Sequence, residues 1–145
     1  MRPETLNSRL DKRARALDSL LCVGLDAHAG LLPEATPAAA RDFCLRLINS
    51  TTDVAVAYKP NSAFFEALGP AGIETLQQVI AVAGQHAPVI LDAKRADIGD
   101  TSAAYAEAAF GVLHADAVTV NPYLGFDAIE PFLSDPARGV FVLCK

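Results

Sequence analysis

The sequence predicts a parallel α/β fold, the first four and a half units of a (β/α)8 TIM barrel, and three observations carry that reading. Five short apolar runs are near-continuous rather than alternating, which suits parallel strands buried on both faces. Helical patterns fill the gaps between them, so strand and helix follow each other without interruption. A polar residue follows each of the first three runs at an even interval: Asp26, Lys59 and Asp92 stand 33 residues apart in succession. A (β/α)8 barrel of about 250 residues repeats at roughly 31 per unit.

The runs are Leu20 to Leu25, Val54 to Tyr58, Pro88 to Leu91, Ala117 to Val120 and Gly139 to Leu143. Between the first two, Thr36 can cap a helix whose first residue is Pro37 and whose apolar stripe is Phe43, Cys44, Leu47 and Ile48, ending at Asn49. Further helices are expected over Ile73 to Val82 and Thr101 to Leu113. Crossovers between parallel strands are right-handed. The chain has 145 residues, and at about 31 per unit that supplies fewer than five of eight units. Its last run reaches Lys145 with no helix after it, so residues 1–145 are expected to be the N-terminal part of one barrel domain. The competing architecture is a complete doubly wound domain of five strands, but no Gly-rich phosphate turn follows the first run.

Composition bounds the function. The chain is 52% hydrophobic and 20% charged with a formal net charge of −5, the make-up of an ordinary globular domain. Arg9, Lys12, Arg13 and Arg15 cluster near the start, and on an acidic chain they read as a solvated helix face rather than a nucleic-acid surface. No apolar run approaches the roughly 20 residues of a membrane span, and the first residues are too charged for a signal peptide, so a cytoplasmic protein is expected. Cys22, Cys44 and Cys144 are widely spaced among aliphatics and read as reduced core residues without metal-ligand spacing.

The stretch LDAKRADIGDT, Leu91 to Thr101, brings five charged side chains to the end of a buried strand. In a (β/α)8 barrel the strand ends open into the active site, which gives that charge a reason. Asp92 and Lys94 lie two apart, so strand alternation turns both to one face, and Asp97 follows in the turn. The flanking carboxylates favour the charged lysine, keeping a proton donor in a dry site. Lys59, one strand away, adds a second cation that offsets the cost of burying the acids. A structural ion-pair cluster is the alternative reading of the same residues. Arg95 is expected to point away from Lys94 and pair outside. Asp26 could cap a helix, His28 reads as a polar loop residue, His86 and His114 as helix-end residues, and Phe64 and Phe65 as packing for a short helix.

Four motifs in order, CVGLDAH, AYKPNSAFFEALG, ILDAKRADIGDT and DAVTVNPYLGFDAIEPF, resemble the orotidine 5'-phosphate decarboxylases, specifically the bacterial type 2 branch. The resemblance covers nearly the whole chain. It implies a (β/α)8 barrel that forms a homodimer with shared sites, and that makes UMP and carbon dioxide in pyrimidine biosynthesis with neither metal nor organic cofactor. It further implies that Asp26 holds the ribose, that Lys59, Asp92, Lys94 and Asp97 form a charged tetrad, and that Asp97 serves the neighbouring subunit. Lys94 is then the proton donor to pyrimidine C6, Thr101 helps Asp97 hold the ribose across the dimer, and Asn61 is a further substrate-binding candidate. Ala96 departs from the Gly expected in DAKRGD, which puts the backbone angle of the turn in question. The family's base and phosphate grips come from later loops, beyond Lys145, so this stretch alone is expected to be inactive.

Two rivals share the fold. Magnesium-dependent sugar-phosphate decarboxylases and synthases of the same suprafamily also carry a DxKxxD strand, but with an acid where this chain has Lys59. A Schiff-base aldolase using Lys94 needs a neutral lysine, which two neighbouring carboxylates disfavour. A half-barrel scaffold without activity would tolerate loss of Lys94.

Overall fold

The computed structural model of the chain describes residues 4–144; Lys145, which the sequence places at the end of the fifth run, lies outside them. In chain order the elements are α1 (Leu6–Leu17), β1 (Leu21–Gly24), α2 (Pro37–Asn49), β2 (Ala55–Lys59), α3 (Ser62–Glu66), α4 (Pro70–Ala83), β3 (Ile90–Arg95), α5 (Gly99–Glu107), β4 (Ala117–Val120) and β5 (Gly139–Val142). β1 pairs with β2, and β3 with β4 and β4 with β5, all parallel. Two bridges, Tyr58 to Val89 and Asn61 to Asp92, join the ladders. Tyr58 N donates to Pro88 O at 3.0 Å and Asp92 N to Pro60 O at 2.9 Å.

Five parallel strands therefore stand side by side in chain order. That is the order of a (β/α)8 barrel; a doubly wound sheet reverses its order at a switch point. The partial barrel stands and the doubly wound alternative falls.

Local chemistry sets the element boundaries. Thr36 caps α2 by accepting from Ala39 N at 3.3 Å, and Pro37 opens the helix as expected. Its fully buried residues are Ala40, Cys44 and Ile48, with Phe43 and Leu47 packed on the flank. α4 starts three residues before the expected Ile73, because Gly69 takes φ +71 and lets Pro70 begin the turn. Gly72 meets the preceding short helix so closely that a Cβ there would lie 2.0 Å from Phe65 O. α5 begins at Gly99 rather than Thr101 and runs into a π-helical turn over Ala108–Val112. His86 and His114 follow helix ends, as the sequence suggests.

The core runs along the strands and the helices that cover them: Leu25, Tyr58, Phe65, Val79, Ile80, Val89, Val118, Val120 and Phe132 are fully buried. The one polar atom that Tyr58 carries inward donates to Ile48 O at 3.1 Å.

Two expectations are corrected here. The basic cluster is not a solvated face: Arg9 pairs with Asp116 at 2.6 Å, and Arg13 donates to Ala55 O at 2.8 Å and Thr52 O at 3.0 Å. Only Lys12 and Arg15 are exposed, the latter paired with Asp11 on the same helix. α1 lies against the strand starts, where Leu6 packs with Ala57, Ile90 and Ala117. The cysteines are all free, but Cys44 alone is buried; Cys22 and Cys144 are exposed here, because among the described residues β1 and β5 are the outermost strands and have no neighbour on one side. Burial pushes the Cys44 thiol up to about 12, with the Asp26 charge adding to it.

Candidate active site

Lys59 is the last residue of β2, and Asp92 sits in β3 beside it, only 8% exposed. Lys59 Nζ lies 3.2 Å from Asp92 Oδ2 and Lys94 Nζ lies 2.5 Å from Asp92 Oδ1. One carboxylate thus stands between two ammonium groups. Thr119 Oγ1, from β4, donates to Asp92 Oδ1 at 2.9 Å. Burial alone raises the Asp92 carboxyl, but hydrogen bonds from Lys94, Thr119 and Lys59 and the charge of Lys59 outweigh it and hold it below 3.8. Asp92 is therefore ionised at neutral pH, with an excess of one positive charge around it.

The way Lys94 reaches Asp92 differs from the expected strand alternation. The register passes from Leu91 opposite Val118 to Arg95 opposite Val120, so Asp92, Ala93 and Lys94 together face Thr119. β3 bulges there, and Lys94 takes φ +50. The strand resumes at Arg95, whose carbonyl accepts from Asn121 N at 2.9 Å. Bulges beside active sites re-aim side chains, and this one turns the Lys94 ammonium back onto Asp92.

Asp26 lies two residues past β1, whose end is tied to β2 by Leu25 N donating to Lys59 O at 3.1 Å. It caps nothing: His28 Nδ1 accepts from Gly30 N at 3.0 Å and caps the turn instead. Among the described residues the buried Asp26 Oδ1 has no hydrogen-bond partner, an acceptor held dry just past the end of β1. Asn61 bridges to Asp92 through the backbone and caps α3, its Oδ1 accepting from Ala63 N at 3.1 Å.

Asp97 and Thr101 are not brought to the cluster. Asp97 Oδ1 accepts from its neighbour Ile98 N at 2.8 Å, and among the described residues no ion pair joins Asp97 to a lysine. Thr101 is exposed in the first turn of α5. Arg95 pairs with Glu66 outside and lies 5.0 Å from the Tyr105 ring centre, as expected. Ala96 carries no positive φ; Lys94 and Gly99 take that conformation, so the missing glycine leaves the turn unstrained. Phe65 packs α3 into the core, and Phe64 meets His28 edge-on with ring centres 5.7 Å apart.

Thr119 is the participant the sequence reading passed over. Its signal was a single hydroxyl in the apolar run Ala117 to Val120, facing the strand that carries Asp92 and Lys94.

A sequence profile described as Orotidine 5'-phosphate decarboxylase / HUMPS family matches residues 19–145. An orotidine 5'-phosphate decarboxylase of Roseiflexus sp. strain RS-1 is 53% identical over 135 residues, covering 91% of this chain and 49% of its own. One from Herpetosiphon aurantiacus is 49% identical over 130 residues, covering 88% of this chain and 49% of its own. The solved structure of Leishmania donovani OMP decarboxylase superposes with a TM-score of 0.88 at 48% identity, over 97% of this chain and 54% of that one. The chain spans about half the length of the curated relatives it matches. Identity at this level over nearly all of the described strands and helices leaves one assignment: the chain belongs to the Orotidine 5'-phosphate decarboxylase / HUMPS family.

Proposed function

We propose that the protein carrying this chain converts orotidine 5'-phosphate to UMP and carbon dioxide, with residues 1–145 forming the N-terminal part of a single barrel domain. The observation that carries this is the Asp92 carboxylate held between the Lys59 and Lys94 ammonium groups at the strand ends.

Losing carbon dioxide from C6 of the pyrimidine leaves an electron pair that the ring barely delocalises. A cation already in place stabilises that pair as it forms, without reorganisation at the moment of reaction. Lys94 supplies the cation and then the proton that completes the C6–H bond. Asp92 is ionised and lies against the departing carboxylate, so the bound substrate is pressed toward reaction, while Lys59 neutralises the excess negative charge. Asp26, with its unpartnered buried oxygen, is the acceptor for a ribose hydroxyl, and Asn61 stands beside Lys59 to add a second polar contact. Asp97 and Thr101 stand apart from the cluster of their own chain, which supports their serving the ribose of a neighbouring subunit in a homodimer. Among the described residues no helix is long and apolar enough to cross a membrane, in keeping with a cytoplasmic enzyme.

The magnesium-dependent reading needs an acid where Lys59 stands, and here an ammonium lies 3.2 Å from Asp92 Oδ2 instead. The test is absorbance-monitored decarboxylation of orotidine 5'-phosphate in excess EDTA, by a protein carrying this chain within the full length of its relatives. Turnover that Lys94→Ala lowers by about 10³-fold or more establishes the reading. Turnover that EDTA abolishes transfers the assignment to the magnesium-dependent rival.

A further inference from the structure

A hydroxyl has one proton to give and two lone pairs to receive with. At Thr119 all three are committed, and all to β3. Ala93 N donates to Thr119 Oγ1 at 3.0 Å, Lys94 N donates to it at 2.9 Å, and its own proton goes to Asp92 Oδ1 at 2.9 Å. With both lone pairs filled from the backbone, the proton can only point out at the carboxylate. One oxygen atom of β4 thereby fixes three consecutive residues of β3.

Those three residues are the bulge. Lys94 sits there at φ +50, a region that side-chain-bearing residues occupy only when the surroundings hold them. Release of its N–H would free the bulge, in which three residues of β3 stand between the ladder pairs Leu91–Val118 and Arg95–Val120, to take other backbone angles. The turn that brings the Asp92 and Lys94 head groups together would then no longer be held. Asp92 keeps Lys59 in any case, because that ion pair does not involve β4.

We propose that Thr119 is the positioning residue of the site, its hydroxyl holding the Asp92 carboxylate and the Lys94 backbone in the one arrangement that presents the Lys94 ammonium to the reacting carbon. The catalytic consequence rests on the decarboxylase reading; the positioning itself does not. Thr119→Val keeps the shape of the side chain and removes all three bonds, whereas Thr119→Ser keeps all three.

The experiment uses the full-length protein and three readouts: the titration of the Asp92 carboxyl followed by carbon NMR, amide exchange at Ala93 and Lys94, and kcat and KM for orotidine 5'-phosphate. In folded Thr119→Val the Asp92 carboxyl titrates closer to 3.8, and the two amides lose protection. kcat falls about 10²-fold, the cost of misplacing a reacting group by about 1 Å. KM does not rise, because the Lys94 contact is made as the bond breaks and a loss of the pressure that Asp92 puts on the bound substrate lowers KM. Thr119→Ser restores all of these. A hydroxyl that merely saturated the bulge would lower the melting temperature of Thr119→Val and leave its kcat and Asp92 titration as in the parent, and that result overturns the proposal. If the parent itself shows no turnover while Thr119→Val still moves the Asp92 titration, the decarboxylase reading fails and the positioning stands.

Discussion

Asp116 and Asp92 each hold a cation on the parallel strands, Asp116 just before β4 begins and Asp92 inside β3 where its bulge starts. Each Asp116 oxygen has one partner, Arg9 Nη1 at 2.6 Å and Val89 N at 2.8 Å, and the pair's charge closes at zero. Asp92 has two ammonium partners and a hydroxyl, and the Lys94 side chain is half exposed. The same acid makes a clasp where its charge is used up and a site where charge is left over and open to a ligand. Barrels divide labour between their two ends in this way, with stability at the strand starts and chemistry at the strand ends.

The comparison can be broken by substitution, and the largest effects are at the strand ends. Lys94→Ala is expected to lower decarboxylation by about 10³-fold or more with the fold intact, measured as kcat beside a melting curve. Gly139→Ala belongs to the opposite end: a Cβ there would lie 2.0 Å from Leu6 Cδ2, so overpacking is expected to cost about 1–3 kcal/mol, read from urea midpoints. Arg9→Ala removes the clasp and is expected to lose about 1–2 kcal/mol of stability with kcat unchanged. A fall in kcat without a stability loss would erase the distinction between the two ends.

The smallest effect is one of pH. The Asp92 carboxyl is held below 3.8 in the fold, so the stability its ionised form contributes is fully present above that value and drains away as pH falls through the lower, folded one. Asp92→Asn lacks this contribution. Urea midpoints of parent and variant are therefore expected to converge as pH falls from about 5 to about 2. Midpoints that stay a constant distance apart would show that the fold does not sense this ionisation.

β4 matches its predicted bounds to the residue, and the even spacing of Asp26, Lys59 and Asp92 was enough to bring Lys59 and Asp92 together, because it follows from the repeat of the fold. What stayed hidden is what depends on a neighbour. β3 continues through Asp92 and Lys94, which the alternation already placed on a strand, to Arg95; the bulge inside it was hidden, because the bonds that hold it come from Thr119 and Asn121 of the next strand and turn. No pattern along the chain announces a lysine at positive φ, since the cause lies in another strand. Arg9 and Arg13 read as solvent-facing for the same reason: their partners are Asp116, Ala55 and Thr52, all distant in sequence.

The Arg9 clasp also sets an order of events in the making of the protein. Its two halves are 107 residues apart, with the first helix at one end and the fourth strand at the other. A ribosome that adds about 5–20 residues each second leaves that helix without its partner for roughly 5–20 s. Contacts so distant contribute only after the loop between them is closed. That helix therefore settles only after β4 has been made, and the strand starts are sealed only once the stretch of β2 and β3 that carries Lys59, Asp92 and Lys94 has been made.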